Sequence, residues 1–422
     1  MRRSLLLALL LAAQGALASP ASDLFDRASA LVTEHYDGFS TLDPAIQAQQ
    51  GRAELDRTCA PSPDTCPVSD GEAALNRYLN TFGDGHLYAL TPERYALTRA
   101  RYSAQVPAQP TFGLVLGLRG KGGTLVTDVV AGSPADRAGL HPGDRLTGAD
   151  GRPLEATGLD RRSTLPLRVA RGPVDAPQAR RVTLTRATLS PLLLPELYAP
   201  AGAPPGVFVL RVPNFQYAGR VGPRVHALVR EAQAQGARDL ILDLRGGRGG
   251  SNYECEMAAG AFIGPFRYRV ETRRGTFAAG WTGRRSLDDA DRAYIGTGAA
   301  WTSESLAYDL PDPARWTGAT AVLVDGDTAS CHEYAAYFLQ QAGRAKVIGV
   351  PTRGLLNTGD LVVDLPDGGG LFLPAFRSLD ENGQVFPQMV TPDIVVAPDP
   401  QRLADTGDDP MLDAAYGALG MR

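Results

Sequence analysis

The sequence predicts an α/β protein in which a β-rich insert and a small helical region precede a core of alternating strands and helices. Three changes of rhythm along the 422 residues carry that prediction. Residues 22–105 repeat apolar side chains at helical spacing, and residues 110–190 alternate with the two-residue period of strands. From about residue 206, apolar strands and amphipathic helices take turns. A chain of this length holds two or three domains.

The first residues pair a basic start, Met1-Arg-Arg, with the apolar run Leu5–Ala13. Ala16-Leu-Ala18 then supplies small residues for cleavage before Ser19, so residues 1–18 read as a signal peptide. The run is roughly half to two-thirds of the ~20 residues a membrane helix needs. No later stretch is longer and apolar, so no membrane span is expected. The mature chain is expected to be periplasmic or secreted. The full sequence carries a net charge of −4 with both signs interspersed, which argues neither for nucleic acid nor for an anionic membrane surface as a partner.

Residues 19–108 form the helical region, with Asp23–Val32 and Ala73–Asn80 as its clearest helices. Cys59 and Cys66 flank a short Pro/Asp loop and are expected to form a disulfide in an oxidising compartment. Too few Cys or His stand nearby for zinc, and no metal or other cofactor is expected. Pairing between Cys255 and Cys331 stays open on sequence alone. The region closes on Thr81-Phe-Gly-Asp-Gly-His86, a glycine-broken turn carrying one histidine.

Residues 109–190 open with the strand Phe112-Gly-Leu-Val-Leu-Gly117 and continue through Thr124–Val130. Ser133-Pro-Ala-x-x-Ala-Gly-Leu140 and Pro142-Gly-Asp-x-Leu146 follow. These elements resemble a PDZ domain of the bacterial protease type. The resemblance implies capture of an extended peptide, by a free C-terminus, along a strand edge. The alternative is a packing module whose groove is closed.

Residues 191–422 carry the α/β rhythm. Val207–Val212 is a strand and Val221–Ala232 a helix. Asp239–Leu244 is an apolar strand of the kind buried on both faces. It runs into Arg245-Gly-Gly-Arg-Gly-Gly250, a loop that bends sharply and bares its N–H groups. No Gly-Lys-Ser/Thr follows, which excludes a nucleotide P-loop. Further on, the strand Ala319–Val324 leads through Gly326-Asp-Thr-Ala-Ser-Cys-His-Glu333 into a helix. Ser330 therefore stands at a helix N-terminus, where it is either an N-cap or a nucleophile whose oxyanion the free N–H groups can hold.

Asp-Leu-Arg-Gly-x-x-Gly-Gly at 243–250, Thr-Ala-Ser-x-x-Glu at 328–333 and Val347–Gly354 together resemble the S41 family of serine peptidases, the tail-specific and tricorn-core-like group. Leu373–Arg377 and Val390–Ile394 extend the match. The resemblance implies a ClpP/crotonase-like ββα core, Ser330 as nucleophile, and an oxyanion hole from the N–H groups of Cys331 and of Gly249 or Gly250. The tail-specific members use a lysine base within Gly-Lys-Gly. Here that stretch reads Gly354-Leu-Leu356, and the chain's two lysines, Lys121 and Lys346, stand elsewhere. The tricorn-like arrangement, with a histidine before the PDZ insert, points to His86 as base. Its acid partner has no clear match. Where tricorn-like enzymes carry a glutamate, this chain has Gln388, and the candidates are Glu381, Asp380 and Glu333, with Asp84. The expectation is an exported serine endopeptidase acting on proteins or peptides. The alternative is a peptide-binding scaffold that kept the fold without turnover.

Overall fold

The computed structural model describes residues 19–155, 159–200, 202–287, 289–294 and 309–421. The expected signal peptide, residues 1–18, lies outside the described residues.

Three helices come first: Pro20–His35, Pro44–Cys59 and Val68–Asn80. Ser19 and Asp43 cap the first two, accepting backbone N–H groups of Ser22, Ala45 and Ile46, and each cap is followed by proline. Capping side chains satisfy donors that a helix start leaves open, and proline there lacks no bond it would have made. Phe25, Leu55, Leu75 and Leu79 bury their apolar faces together. The Cys59–Cys66 disulfide closes the turn between the second and third helices, with Cα atoms 5.4 Å apart.

The insert is a five-stranded antiparallel sheet: Leu114–Gly120, Gly123–Val129, Arg145–Gly148, Thr164–Arg171 and Gln178–Thr185. Along Thr164–Arg171, Leu165, Leu167 and Val169 are buried while their neighbours face out, as the two-residue period requires. They join Phe112, Val126, Leu140 and Leu146 in a core separate from the main one. The first strand pairs on one side only. The helix Pro400–Thr406 docks on the hairpin that follows it, where Gly122 N–H donates to Ala404 O at 3.3 Å.

The core holds a six-stranded sheet in the order Ile394–Val395, Lys346–Gly349, Ala319–Val324, Asp239–Asp243, Val207–Arg211, Glu196–Tyr198. All neighbours are parallel except the last pair. Both faces are covered, which explains the unbroken apolar runs. Leu240, Leu242, Val322 and Val324 face the helices Val221–Ala234, Asn252–Ile263 and Cys331–Gln341. Ile241, Ala321 and Leu323 face Met411 and Ala415 of the helix Pro410–Ala418. A second, antiparallel sheet is built around Gly370–Leu379, which pairs with Tyr88–Leu90, Thr358–Asp364 and Phe266–Thr272. It brings the segment before the insert against the core. No helix among the described residues is long and apolar enough to cross a membrane.

Candidate active site

The strand Asp239–Asp243 ends on a buried carboxylate. Burial alone would raise the Asp243 carboxyl, but Arg245, and behind it Arg211, hold it below the usual range. Arg245 donates to Asp243 through Nε at 2.9 Å and Nη2 at 2.8 Å, and to Asp409 through Nη1 at 2.8 Å. The glycine loop turns on this anchor toward the segment after Ala319–Val324. Gly246 N–H donates to Asp325 Oδ1 at 3.0 Å, and Ala329 N–H to Gly247 O at 2.9 Å. A Cβ on Gly247 would lie 2.0 Å from the His332 ring, so only glycine permits this approach.

Ser330 sits where the loop and the helix Cys331–Gln341 meet. Its φ of +53° is in the left-handed region, a conformation costing a non-glycine residue about 1–3 kcal/mol. It occupies the N-cap position in a capping-box arrangement with Glu333, its side chain facing the Glu333 backbone N–H and its own N–H held by the Glu333 carboxylate. A Cβ built on Gly249 would lie 3.2 Å from Ser330 Oγ, so the loop runs directly over the hydroxyl. Two backbone N–H groups beside it, those of Cys331 and Gly250, donate to no acceptor among the described residues. The Gly249 N–H is different, for it donates to His332 Nδ1 at 3.1 Å. Of the two glycines expected to supply an oxyanion donor, Gly250 has the open group.

His86 is 5% exposed, on the turn before the strand Tyr88–Leu90. Its backbone N–H donates to Asp84 Oδ1 at 3.0 Å, and Tyr36 of the N-terminal region donates to Asp84 Oδ2 at 3.0 Å. Its Nδ1 lies 2.8 Å from Thr358 Oγ1 and 3.9 Å from Asp360 Oδ1, while Nε2 takes no hydrogen bond among the described residues. Burial pulls the imidazole down to about 4, so at neutral pH it is unprotonated. The His86 turn and the Ser330 turn share neighbours. A methyl on Gly85 would meet Leu355 at 3.0 Å, and Leu355 N–H donates to Glu333 Oε2 at 2.9 Å. That same oxygen accepts Ser330 N–H at 2.6 Å.

Glu333 is fully buried and accepts from four donors: Ser330, Gly354 and Leu355 N–H groups and Thr352 Oγ1. It ties the Ser330 turn to the 352–355 segment and makes no hydrogen bond to His86 among the described residues. Asp380 accepts the backbone N–H of Gln384, and Glu381 lines a 660 Å³ cavity with Phe266 and Trp281. Neither bonds His86 among the described residues. The carboxylates that do stand by His86 are Asp84, through the backbone, and Asp360, through the ring. Asp360 escaped sequence reading because a lone Thr-Gly-Asp carries no signal of its own.

His332 also has a role its spacing concealed. Its Nε2 lies 3.1 Å from Val212 O, so it donates there while Nδ1 accepts from Gly249. Burial holds this ring down to about 3, which keeps it neutral, and its two hydrogen bonds select that tautomer. Cys255 and Cys331 are free and buried. Cys331 Sγ donates to Gly250 O and Asn252 Oδ1, both at 3.3 Å. That engaged, buried thiol is poorly placed to be a nucleophile. Lys346 pairs with Asp393 at 3.3 Å on the surface.

Residues 206–396 match Peptidase family S41, and residues 125–162 match the PDZ domain. A carboxyl-terminal-processing peptidase 2, chloroplastic, from Arabidopsis thaliana is 29% identical over 64% of this chain and 49% of its own length. A carboxyl-terminal-processing protease of Synechocystis is 26% identical over 71% of this chain and 64% of its own. The chain thus spans about half the length of the first relative and under two-thirds of the second. Among solved structures, one titled a putative S41 protease from Bacteroides fragilis shares the fold, with a TM-score of 0.52, 17% identity, and coverage of 83% of this chain and 91% of that one.

Proposed function

The chain belongs to peptidase family S41 and carries a PDZ domain; from that premise we propose that it is an exported serine endopeptidase with Ser330 as nucleophile and His86 as general base. The observation that carries this reading is the placement of Ser330, held at positive φ directly under the glycine loop beside two open N–H groups. A nucleophile needs a fixed, strained approach to its substrate, and its oxyanion needs donors fixed in advance.

In this mechanism His86 Nε2 takes the Ser330 proton as Oγ attacks the scissile carbonyl carbon. Gly250 and Cys331 N–H groups receive the developing oxyanion. Collapse of the tetrahedral intermediate breaks the C–N bond, and His86 returns the proton to the leaving amine. Water, deprotonated by the same imidazole, then attacks the ester and releases Ser330. Glu333 holds the turn but exchanges no proton. The relatives named for carboxyl-terminal processing support substrates presented by a free C-terminus. The half-paired strand Leu114–Gly120 offers an edge on which such a peptide can add as a further strand.

The test compares the chain from Ser19 with its Ser330→Ala and His86→Ala variants on an unfolded protein substrate. Both variants are expected to lose activity by about 10³-fold or more, and Ser330→Ala to lose labelling by a fluorophosphonate. Cleavage surviving in Ser330→Ala refutes the nucleophile. Binding of C-terminal peptides without any cleavage by the unaltered chain replaces this reading with a peptide-binding scaffold.

A further inference from the structure

A general base buried like His86 faces a difficulty that the nucleophile's geometry does not resolve. Taking the serine proton makes it an imidazolium in a site that is 5% exposed, where burial disfavours charge. In a serine–histidine arrangement an acid on the far ring nitrogen offsets that charge and fixes the tautomer. Glu333 is committed to the Ser330 turn, and Asp380 and Glu381 make no bond to the ring.

The strand Thr358–Asp364 supplies two groups to the far nitrogen instead. Thr358 Oγ1 is 2.8 Å from Nδ1 and buried. Asp360 Oδ1 is 3.9 Å from Nδ1, and this oxygen is itself buried and without a hydrogen-bond partner among the described residues. An unpaired buried carboxylate oxygen is costly, and such exceptions concentrate where a charge has work to do. Residues two apart on a strand share a face. Here pairing with Gly370–Leu379 also slips by one residue between Gly359, opposite Phe376, and Asp360, opposite Pro374. Such irregularities re-aim side chains beside sites. The strand also passes the nucleophile: a Cβ on Gly359 would lie 3.8 Å from Asn252 Nδ2, and Asn252 Oδ1 accepts the Cys331 thiol.

We propose that Thr358 and Asp360 are positioning residues for His86, with the Thr358 hydroxyl accepting the Nδ1 proton and Asp360 supplying the negative charge that the imidazolium requires. This rests on the reading of Ser330 and His86 above. Thr358 keeps the Nε2 lone pair directed at the serine. Asp360 acts in its ionised form, and no proton passes to it from the ring during turnover. The groups around Asp360 are His86 itself, Asp84 on the preceding turn, Tyr88 on the adjoining strand and Tyr102 on the helix Pro92–Tyr102. Burial, and then Asp84, push the Asp360 carboxyl upward. The acid limb of turnover should therefore follow Asp360 and lie above the range of an ordinary carboxylate.

The experiment measures kcat and KM across pH for the chain from Ser19 and its Asp360→Asn, Thr358→Val and Thr358→Ser variants, alongside ¹⁵N spectra of the His86 ring. Asp360→Asn should lower kcat by about 100-fold or more with KM nearly unchanged, and move the acid limb downward. Thr358→Val should lower kcat by about 10-fold or more and disturb the Nδ1–H tautomer, while Thr358→Ser restores both. Thermal unfolding confirms that each variant is folded. A folded Asp360→Asn with unaltered kcat and acid limb overturns the role of Asp360, and an Nε2–H ring in the unaltered chain overturns that of Thr358. If the unaltered chain cleaves nothing, the peptidase reading falls, and the ring spectra alone decide whether Thr358 sets the tautomer.

Discussion

Glu333 Oε2 accepts the backbone N–H of Ser330 at 2.6 Å, and the same carboxylate holds Leu355, Gly354 and Thr352. The positive φ of Ser330 is thus secured by a group three residues later in the helix it begins. Strain of this kind persists only where surrounding structure over-determines it.

Glu333→Gln should therefore harm stability and activity together. An amide supplies one acceptor oxygen and sets an NH₂ against donors, leaving buried N–H groups unpaired. The expected loss is about 2–4 kcal/mol in urea unfolding, with slower fluorophosphonate labelling of Ser330.

Gly247→Ala tests the loop's approach to His332. The added methyl falls 2.0 Å from the ring, which must move and release Gly249. A loss of about 1–3 kcal/mol is expected, by analogy with overpacking a core. Labelling of Ser330 should fall with it, while the peptide affinity of the insert stays unchanged.

The buried Glu256 predicts an inverted pH response. Its Oε1 accepts Tyr268 OH at 2.7 Å, and burial lifts the carboxyl to about 7. A folded-state value above the unfolded one means that its contribution is present at acid pH and lost as pH rises from about 4.5 to about 7. Glu256→Gln should be more stable than the unaltered chain at pH 8 by up to about 3 kcal/mol. The advantage should shrink toward pH 4.5. A difference independent of pH would refute the assignment.

The Cys59–Cys66 bridge closes a short loop, with a sequence separation of 7. Replacing both cysteines by serine should cost about 2 kcal/mol on the loop-entropy estimate. Unfolding measured with and without reductant should show the same difference in the unaltered chain and none in the variant.

Much of this was legible along the chain, because the relevant physics is local. The apolar run Asp239–Leu244 reads as a strand of the kind buried on both faces, and the glycines after it as a tight turn that bares its N–H groups. Ser330 followed a strand and opened a helix. The two-residue period of the insert and the helical spacing before it needed no long-range contact either. These features, with the matched motifs, were enough to point to the family. Glu333 was legible as a helix first-turn charge, but not as the hub of four donors, because three of them come from 352–355.

Only the tertiary structure decided what surrounds His86 and which glycine keeps an open N–H. Thr358 and Asp360 reach the ring from a strand 272 residues later in the case of the hydrogen-bonded threonine. No periodicity or spacing records such a meeting; it arises because strands far apart in the chain pair with Gly370–Leu379 in one sheet. Gly249 and Gly250 look alike in sequence, and they differ only because His332 folds back to claim the first. The chain alone determined which residue types were on hand for chemistry. The fold determined which had partners, because a hydrogen bond or a buried charge depends on distance in space.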